Sequence, residues 1–253
     1  MKRYKKPKGK LSIGVLQDVG QRDDQQDSFG IMGRSCGKTG TLAIVADGMG
    51  GLVNSAQVSQ TVVGTMLDAY APGVGMPAWQ QLLLLLKLAV SKTAAMAEGR
   101  NYQSGTTVVA CLLEDGGLSW VSCGDSRLYL LRNGGLIQLT RDHDFAHDLT
   151  LLALRGEMPL EEPLTNARRE ALTSFVGMDC PRHMDYNPEP LRLCRNDRIL
   201  LVSDGIYRAL EQPELEKLLR KSPKRAAKAI GKRIRRKKLP NQDNYTALIL
   251  KVH

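Results

Sequence analysis

Short apolar runs recur along the chain, and glycine, asparagine or aspartate bounds each of them. Runs of this length with such boundaries predict β-strands. They lie at residues 11–19, 42–46, 106–113, 119–122, 128–131, 199–202 and 247–252. The segment Arg132-Asn133-Gly134-Gly135 follows the run at 128–131, and its Asn-Gly centre favours a hairpin of antiparallel strands.

Four other segments carry apolar residues at the three- and four-residue spacing of amphipathic helices. They are residues 54–70, 79–97, 213–219 and 224–234. Strands, two long helices, more strands and a final helical pair predict an α+β fold built in layers. Residues 142–176 fit neither periodicity, because Gly156, Pro159 and Pro163 interrupt them.

The length of 253 residues is enough for one domain with a substantial core, and no repeat or low-complexity linker divides the sequence. We therefore expect a single domain at residues 11–253. The preceding residues 1–10 are basic, and we expect them to be disordered.

The net charge of +10 is unevenly distributed. Residues 1–10 contain six Lys and Arg, residues 217–238 contain twelve, and neither segment contains Asp or Glu, which leaves 18 basic and 26 acidic residues elsewhere. An acidic body suits divalent cations, whereas the basic segments could meet an acidic partner, a membrane surface or nucleic acid. We favour a solvated charged face. Nucleic acid is disfavoured, because residues 217–238 lack the aromatic side chains of a single-strand binder.

The five cysteines are scattered, odd in number and free of Cys-X-X-Cys spacing. We therefore expect reduced thiols instead of a disulfide framework or a zinc site. The basic N-terminus has no apolar stretch behind it, and Lys87 ends the leucine run at 82–86 far short of a membrane span. These features predict a cytoplasmic protein with no membrane span.

Candidate chemistry lies where four apolar, strand-like segments meet an aspartate. A carboxylate at a strand end is held by the sheet, and a following glycine lets the backbone turn sharply. Hard oxygen ligands of this kind suit Mg²⁺ or Mn²⁺. One Asp-Gly turn would be ordinary turn chemistry, so only the four segments together indicate a metal site. The segments are Val45-Ala46-Asp47-Gly48-Met49-Gly50-Gly51, Cys123-Gly124-Asp125-Ser126, Leu200-Leu201-Val202-Ser203-Asp204-Gly205 and Asp243-Asn244-Tyr245-Thr246.

Together with the upstream segment Gly20-Gln21-Arg22-Asp23-Asp24-Gln25-Gln26-Asp27-Ser28, these motifs resemble, in order, those of the metal-dependent protein phosphatases, the PPM or type 2C Ser/Thr family. The likeness runs from about residue 11 to residue 252 and is greatest to the short bacterial branch. It implies a four-layer αββα sandwich of two antiparallel β-sheets flanked by helices. It also implies metal-dependent hydrolysis of phosphoserine and phosphothreonine in proteins, opposing a bacterial Ser/Thr kinase.

The resemblance implies two Mn²⁺ or Mg²⁺ ions that hold a hydroxide between them and aim it at phosphorus. Asp47 would bridge both ions, and the Gly48 carbonyl would bind one of them. Asp204 and Asp243 would complete the other. Asp27 would support the pair.

Two further assignments keep an alternative. Arg22 matches the family's phosphate-binding arginine, and a guanidinium fork suits two phosphoryl oxygens, although in isolation it would be a surface salt bridge. Asp125 resembles the residue that holds a weaker third ion in bacterial relatives, while an Asp-Ser turn after a strand is equally consistent with local capping.

Several polar residues near these motifs are expected to support the structure. The segment Ser104-Gly105-Thr106-Thr107 resembles a family segment at the start of a strand, where a structural role is expected. His143 is likewise expected to have a structural role. Asn244 and Thr246 are expected to orient Asp243 and not to touch substrate.

Some residues differ from the family pattern, and they limit which family properties can be expected of this protein. Gln26 stands where some relatives carry Glu, so the site is less anionic and its metal affinity should be lower. Met49 stands where animal relatives carry a histidine proposed as general acid, and Met cannot donate a proton. Ser174 and Phe175 replace an arginine and an alanine near the end of an expected mobile flap at 142–176, so substrate preference does not carry over.

The sequence thus predicts a monomeric phosphatase that acts on phosphoproteins. The competing hypothesis is a phosphatase-like binding module with a silent site. The presence of Asp47, Asp204 and Asp243 argues against it, because a silent copy has no chemical need of all three.

Overall fold

The computed structural model describes residues 10–33, 40–49, 54–97, 104–178 and 180–253. The expectation of disorder at 1–10 therefore falls outside the described residues, apart from Lys10. The strands of the described chain are β1 (Leu11–Asp18), β2 (Ser28–Met32), β3 (Thr41–Ala46), β4 (Val108–Glu114), β5 (Gly117–Cys123), β6 (Arg127–Arg132), β7 (Gly135–Gln138), β8 (Asp185–Tyr186), β9 (Leu191–Arg192), β10 (Arg198–Val202) and β11 (Tyr245–Val252). The helices are α1 (Ser55–Ala69), α2 (Ala78–Ala97), α3 (Phe145–Leu154), α4 (Glu162–Thr165), α5 (Asp204–Tyr207), α6 (Gln212–Leu219) and α7 (Pro223–Lys237).

The described strands form two antiparallel sheets. One sheet has the order β1-β11-β10-β6-β7, and the other has the order β2-β3-β4-β5-β8, with β9 also pairing with β5. The first and last strands of the sequence are neighbours, since β1 pairs with β11 along its whole length. This pairing brings the segment after β1 beside the segment that leads into β11.

Alternating side chains explain why the sheets stack into four layers. In β3, Ala43 and Val45 face a core between the two sheets, while Leu42 and Ile44 face a second core under α1 and α2. Strand β11 divides its residues in the same way between the central core and a third core under α5, α6 and α7. A strand buried on both faces reads as a continuous apolar run, which is the pattern of both segments. The structure confirms the αββα expectation.

The hairpin at Asn133-Gly134 is confirmed. Strands β6 and β7 pair antiparallel, and both central residues have positive φ, 54° at Asn133 and 86° at Gly134. That combination is the turn geometry that Asn-Gly favours.

Residues 142–176 contain more regular structure than the sequence predicts. Helix α3 begins after Asp144, whose side chain accepts a hydrogen bond from the backbone N–H of His147, and α4 follows it. Leu149 and Ala153 are the buried side chains of α3. A stripe this narrow does not give a helical periodicity that can be recognised in sequence.

The basic helix α7 packs on the sheet as its spacing predicts. Ala226, Ile230 and Ile234 are buried, and Arg and Lys side chains cover the outer face. None of the helices in the described ranges has the length and apolar character needed to cross a membrane. Cys111, Cys123, Cys180 and Cys194 are free thiols, while Cys36 lies outside the described residues.

Candidate active site

Asp47 directly follows the fully buried strand β3, and a pair of threonines fixes its backbone. Its carbonyl oxygen accepts hydrogen bonds from the Thr107 N–H and from the Thr106 hydroxyl, both at 2.8 Å. Its own N–H donates to Oγ1 of Thr107 at 3.3 Å. A structural role at the start of a strand is what the sequence predicts for this pair, and in the structure the pair also holds Asp47 at the sheet edge.

Gly48, directly after Asp47, lies where two other backbone segments pass close to it. Its N–H donates to the carbonyl of Gln26 at 3.2 Å. A Cβ at this position would lie 2.6 Å from that same carbonyl oxygen and 2.9 Å from the carbonyl oxygen of Ser55. Only glycine lets the backbone pass this closely.

Ser203 links the ends of β10 and β11 to Asp27. Its backbone N–H donates to the carbonyl oxygen of Thr246, and the backbone N–H of Thr246 donates to the Ser203 hydroxyl at 2.9 Å. The hydroxyl in turn donates to Oδ2 of Asp27 at 2.7 Å. Asp204 follows at the start of α5, and its N–H lies 3.4 Å from Oδ2 of Asp47, to which it donates.

Asp243 lies in the segment before β11, at the same end of the fold. Its Oδ1 accepts from the Asn244 N–H at 2.8 Å, and its Oδ2 accepts from Nη2 of Arg22 at 2.8 Å. The side chain of Asn244 donates to the carbonyls of Val19 and Asp24. Asn244 therefore positions the loop that carries Arg22, in addition to supporting Asp243.

The five candidate aspartates influence one another electrostatically. Burial raises the pKa of Asp47 well above its usual range, and the charges of Asp27, Asp204, Asp125 and Asp243 raise it further, in that order. Burial likewise raises the pKa of Asp27 to about 6, although the hydrogen bond from the Ser203 hydroxyl opposes the shift. Carboxylates collected in this way repel one another unless a cation or a proton offsets their charge.

The donor set fits a hard divalent cation. Oδ1 of Asp27 is buried and has no hydrogen-bond partner among the described residues. The described residues contain no ready-formed ligand set of three or more acidic, His or Cys side chains. Asp204 and Asp243 instead lie against Arg208 and Arg22, each at 2.8 Å. The oxygen chemistry suits Mg²⁺ or Mn²⁺, and both arginine contacts are partly exposed pairs that contribute little stability.

Asp125 sits after β5 in a different environment. Its Oδ2 accepts a hydrogen bond from the Tyr207 hydroxyl at 2.9 Å, and Nη2 of Arg208 lies 3.9 Å away. Burial raises its pKa to about 6, and the nearby Asp204 adds to the shift. Asp125 thus belongs to the same acidic cluster, although protein donors already contact its carboxylate.

His143 has the structural role expected from sequence. It is fully buried and forms two hydrogen bonds with Gly124. Its backbone N–H donates to the Gly124 carbonyl, and the Gly124 N–H donates to Nδ1 of the ring, both at 3.1 Å. Its Nε2 lies 3.3 Å from Asp185. Burial raises the pKa of Asp185, but contacts from His143 and Arg141 outweigh it and hold the pKa well below its usual range.

Met49, Ser174 and Phe175, three of the residues that differ from the family pattern, lie close together. A Cβ on Gly105 would lie 2.5 Å from the Phe175 ring and 2.9 Å from Sδ of Met49, so both side chains crowd this glycine. Ser174 lies behind them, buried and bonded to His183. The wall beside the Asp47 loop is therefore apolar and carries no proton donor on Met49 or Phe175.

Some residues of the site were not predicted from the sequence. Ser203 was part of a recognised motif, but its bond to Asp27 depends on how β10 and β11 meet. Tyr207 and Arg208 were not singled out. The spacing of Arg208, four residues after Asp204 on a helical segment, is the signal that could have identified it.

Comparison with known proteins identifies relatives of this chain. A sequence model of the family described as "Protein phosphatase 2C" matches residues 20–242. The serine/threonine phosphatase stp of Listeria monocytogenes is 27% identical over 215 residues, which are 83% of each chain. The serine/threonine protein phosphatase PstP of Mycobacterium tuberculosis is 32% identical over 191 residues, which are 69% of this chain and 35% of PstP.

Solved structures give the same result. The crystal structure of the Mycobacterium tuberculosis phosphatase PstP/Ppp superposes with a TM-score of 0.79 at 26% identity and covers 96% of this chain and 99% of that one. The catalytic domain of PstP in complex with two manganese ions superposes with a TM-score of 0.72 at 27% identity, covering 96% and 98% of the two chains.

Proposed function

The chain belongs to the protein phosphatase 2C family, and we propose that it hydrolyses phosphoserine and phosphothreonine in proteins at the site around Asp47. It is a metal-dependent phosphatase of the Ser/Thr type, like the bacterial relatives that it matches. The observation that carries the assignment to this site is the meeting of three aspartates, in which the Asp204 N–H donates to Oδ2 of Asp47 and the neighbouring Ser203 hydroxyl donates to Oδ2 of Asp27.

Mn²⁺ or Mg²⁺, when bound, supplies the Lewis acidity that activates water and offsets charge on the phosphoryl oxygens. We assign Asp47, Asp204, Asp243 and the Gly48 carbonyl to holding two such ions, with Asp27 in support. The Thr106-Thr107 clamp fixes the backbone of Asp47, and the Ser203 hydroxyl fixes Oδ2 of Asp27. Asp204 and Asp243 rest on Arg208 and Arg22, so their carboxylates would adjust when metal binds.

Arg22 is assigned to the phosphoryl group. Its loop is fastened by Asn244, and its guanidinium is exposed enough to reach a ligand while resting on Asp243. A planar fork of donors can bind two phosphoryl oxygens at once and orient phosphorus towards the carboxylate cluster.

Proton delivery to the leaving alkoxide falls to water in this proposal. Met49 and Phe175 line the wall beside the Asp47 loop and have no proton to give. The same apolar wall gives the substrate's side chain a dry surface on which to lie.

The direct test measures hydrolysis of a phosphothreonine peptide and of p-nitrophenyl phosphate, with added Mn²⁺ and with excess chelator. We expect turnover with metal and none with chelator. Turnover that survives the chelator would overturn the metal mechanism, and binding of the peptide without turnover would favour the silent binding module.

A Ser/Thr kinase counterpart, a monomeric state and a cytoplasmic location complete the proposal. The kinase counterpart follows from the reaction, since a phosphoprotein must be made before it is hydrolysed. The free thiols of the described cysteines are consistent with a reducing compartment. Light scattering measures the oligomeric state.

A further inference from the structure

Arg208 lies one helical turn after Asp204 and points back at it. Its Nε is 2.8 Å from Oδ2 of Asp204, in the i,i+4 arrangement of a helical ion pair. The Asp204 side chain is 18% exposed and the Arg208 side chain 45%, so the contact sits at the edge of the carboxylate cluster.

The same guanidinium reaches two more carboxylates from separate parts of the chain. Its Nη1 donates to Oε2 of Glu170 at 2.8 Å, and its Nη2 lies 3.9 Å from Oδ2 of Asp125. Glu170 belongs to the segment 142–176, which the sequence predicts to be a flap. One fixed positive charge therefore joins α5, the turn after β5 and this segment.

Asp125 also accepts a hydrogen bond from Tyr207, so its carboxylate is not free to bind a metal ion. The Tyr207 hydroxyl donates to the same Oδ2 that Arg208 faces. The guanidinium of Arg127 lies over the Tyr207 ring, 3.5 Å from its centre, while it binds Asp142 through two nitrogens. Arg127 thus holds the Tyr207 ring, whose hydroxyl donates to Asp125, while Arg208 faces the same carboxylate oxygen, so a divalent ion placed beside Asp125 would meet the positive charge of Arg208.

Building on the proposed function, we propose that Arg208 is a tethered cation that takes the place of a third divalent ion between Asp204 and Asp125. Asp125 then holds no metal in this protein, and its carboxylate is a positioning group for Tyr207 and Arg208. Arg208 also connects the metal-binding carboxylate Asp204 to the segment 142–176 through Glu170. Guanidinium cannot lose its charge under working conditions, so this cation is present whatever the metal supply.

The test counts Mn²⁺ ions bound per full-length chain at saturation, by equilibrium dialysis and elemental analysis. Asp125→Asn should bind the same number of ions as the unchanged protein. Arg208→Gln should bind one ion more, and the double variant Arg208→Gln/Asp125→Asn should lose that additional ion. Arg208→Lys, which keeps the cation, should retain the number of the unchanged protein.

Arg220→Gln is the matched control. Arg220 forms an i,i+4 ion pair with Glu216 at 2.7 Å on α6, so the substitution removes the same charge from the same kind of pair. It should leave the ion count unchanged. Glu170→Gln should also leave it unchanged, because Asp204 and Asp125 keep Arg208 between them.

Loss of one ion in Asp125→Asn would overturn the inference, because Asp125 would then be a ligand. An unchanged count in Arg208→Gln would overturn it as well. The Asp125→Asn comparison does not depend on Arg208→Gln being folded, and circular dichroism checks both. An unchanged protein that binds no Mn²⁺ at all would refute the proposed function and this inference together, whereas a chelator-sensitive phosphatase with three ions would refute only the inference.

Discussion

Arg22 donates a hydrogen bond from Nη2 to Oδ2 of Asp243 at 2.8 Å, although 221 positions separate the two residues. The side chain of Asn244 stabilises the contact by donating to the carbonyls of Val19 and Asp24, on either side of the arginine. The candidate phosphate-binding residue and a candidate metal-binding residue are therefore parts of one hydrogen-bonded unit.

Replacing Arg22 by alanine should lower kcat/KM for a phosphothreonine peptide. A hydrogen bond to a charged group is worth about 1.5–3 kcal/mol, so the expected loss is about 10- to 100-fold. The fold should tolerate the change, because an ion pair this exposed contributes at most about 1 kcal/mol. Steady-state kinetics and thermal denaturation measure the two effects.

Arg235→Ala is the control for Arg22→Ala. Arg235 pairs with Asp18 at 2.8 Å with similar exposure, and it likewise joins distant parts of the chain. We expect no loss of kcat/KM in this variant. If both variants lost activity equally, the effect would come from general surface charge and the phosphate role of Arg22 would be wrong.

Gln26→Glu should strengthen metal binding. The backbone of Gln26 is fixed on two sides, since its N–H donates to Asn244 at 2.7 Å and its carbonyl accepts from Gly48 at 3.2 Å. An added carboxylate at this position, partly screened by water, should lower the Mn²⁺ concentration for half-maximal activity about fivefold, the equivalent of about 1 kcal/mol. Gln80→Glu, which adds the same charge on the exposed face of α2, is the control. Identical metal titrations for all three proteins would contradict the prediction.

The strands were predictable where both faces are buried. In β3 and β11 every second residue faces a different core, so the whole run is apolar. Strand β2 was missed because Ser28 and Gly30 interrupt it, and Gly30 is needed where the strand passes Val63 and Leu67 of α1. The sequence cannot show such a close approach between elements.

The aspartates of the site were predictable because each stands at the end of a recognisable run. Their partners were not. Arg22 meets Asp243, and Arg208 meets Glu170, only because the sheets stack and the segment 142–176 folds against α5. Contacts of this kind depend on tertiary structure and leave no local periodicity in the sequence.

The basic helix α7 should contribute stability through its buried stripe and leave catalysis unaffected. Ile230 is fully buried, so Ile230→Ala should cost about 2–4 kcal/mol of unfolding free energy. Neutral substitutions of Arg235, Arg236 and Lys237 together should leave turnover of p-nitrophenyl phosphate unchanged. Denaturant unfolding and kinetics measure the two variants, and a large loss of turnover in the triple variant would show that α7 influences the site.

The buried thiols of Cys111 and Cys123 should react with alkylating reagents much more slowly than the exposed thiol of Cys180. Burial raises the pKa of Cys123 to about 12 despite its contact with Ser174, and it raises that of Cys111 further. At pH 8 we therefore expect alkylation at the exposed Cys180 and none at Cys111 or Cys123 until the protein unfolds. Because the folded-state pKa of each buried thiol exceeds its unfolded value, the associated stability is lost as pH rises above about 9. Peptide mapping after alkylation locates the labelled thiols, and rapid labelling of Cys123 would contradict its burial.

Asp204→Asn and Asp243→Asn should abolish turnover while the fold survives. An amide keeps the shape and one acceptor oxygen but loses the charge that compensates for desolvation of a divalent ion. Each substitution also relieves repulsion within the cluster around Asp47, which offsets the loss of a partly exposed arginine contact. The free energy of unfolding in chelator should therefore stay within about 1 kcal/mol of that of the unchanged protein, and the thermal midpoint should change little.

The decisive measurement compares rate and thermal midpoint on the same preparations, with and without Mn²⁺. Loss of metal binding should lower the rate by at least about 10³-fold and shrink the stabilisation that Mn²⁺ gives the folded state. Asp18→Asn, which removes a carboxylate from the Arg235 pair away from the cluster, should change neither. Near-normal rates in the Asp204 and Asp243 variants, or failure to fold in chelator, would show that these aspartates are structural turn residues, and the assignment of the reaction to this cluster would then be wrong.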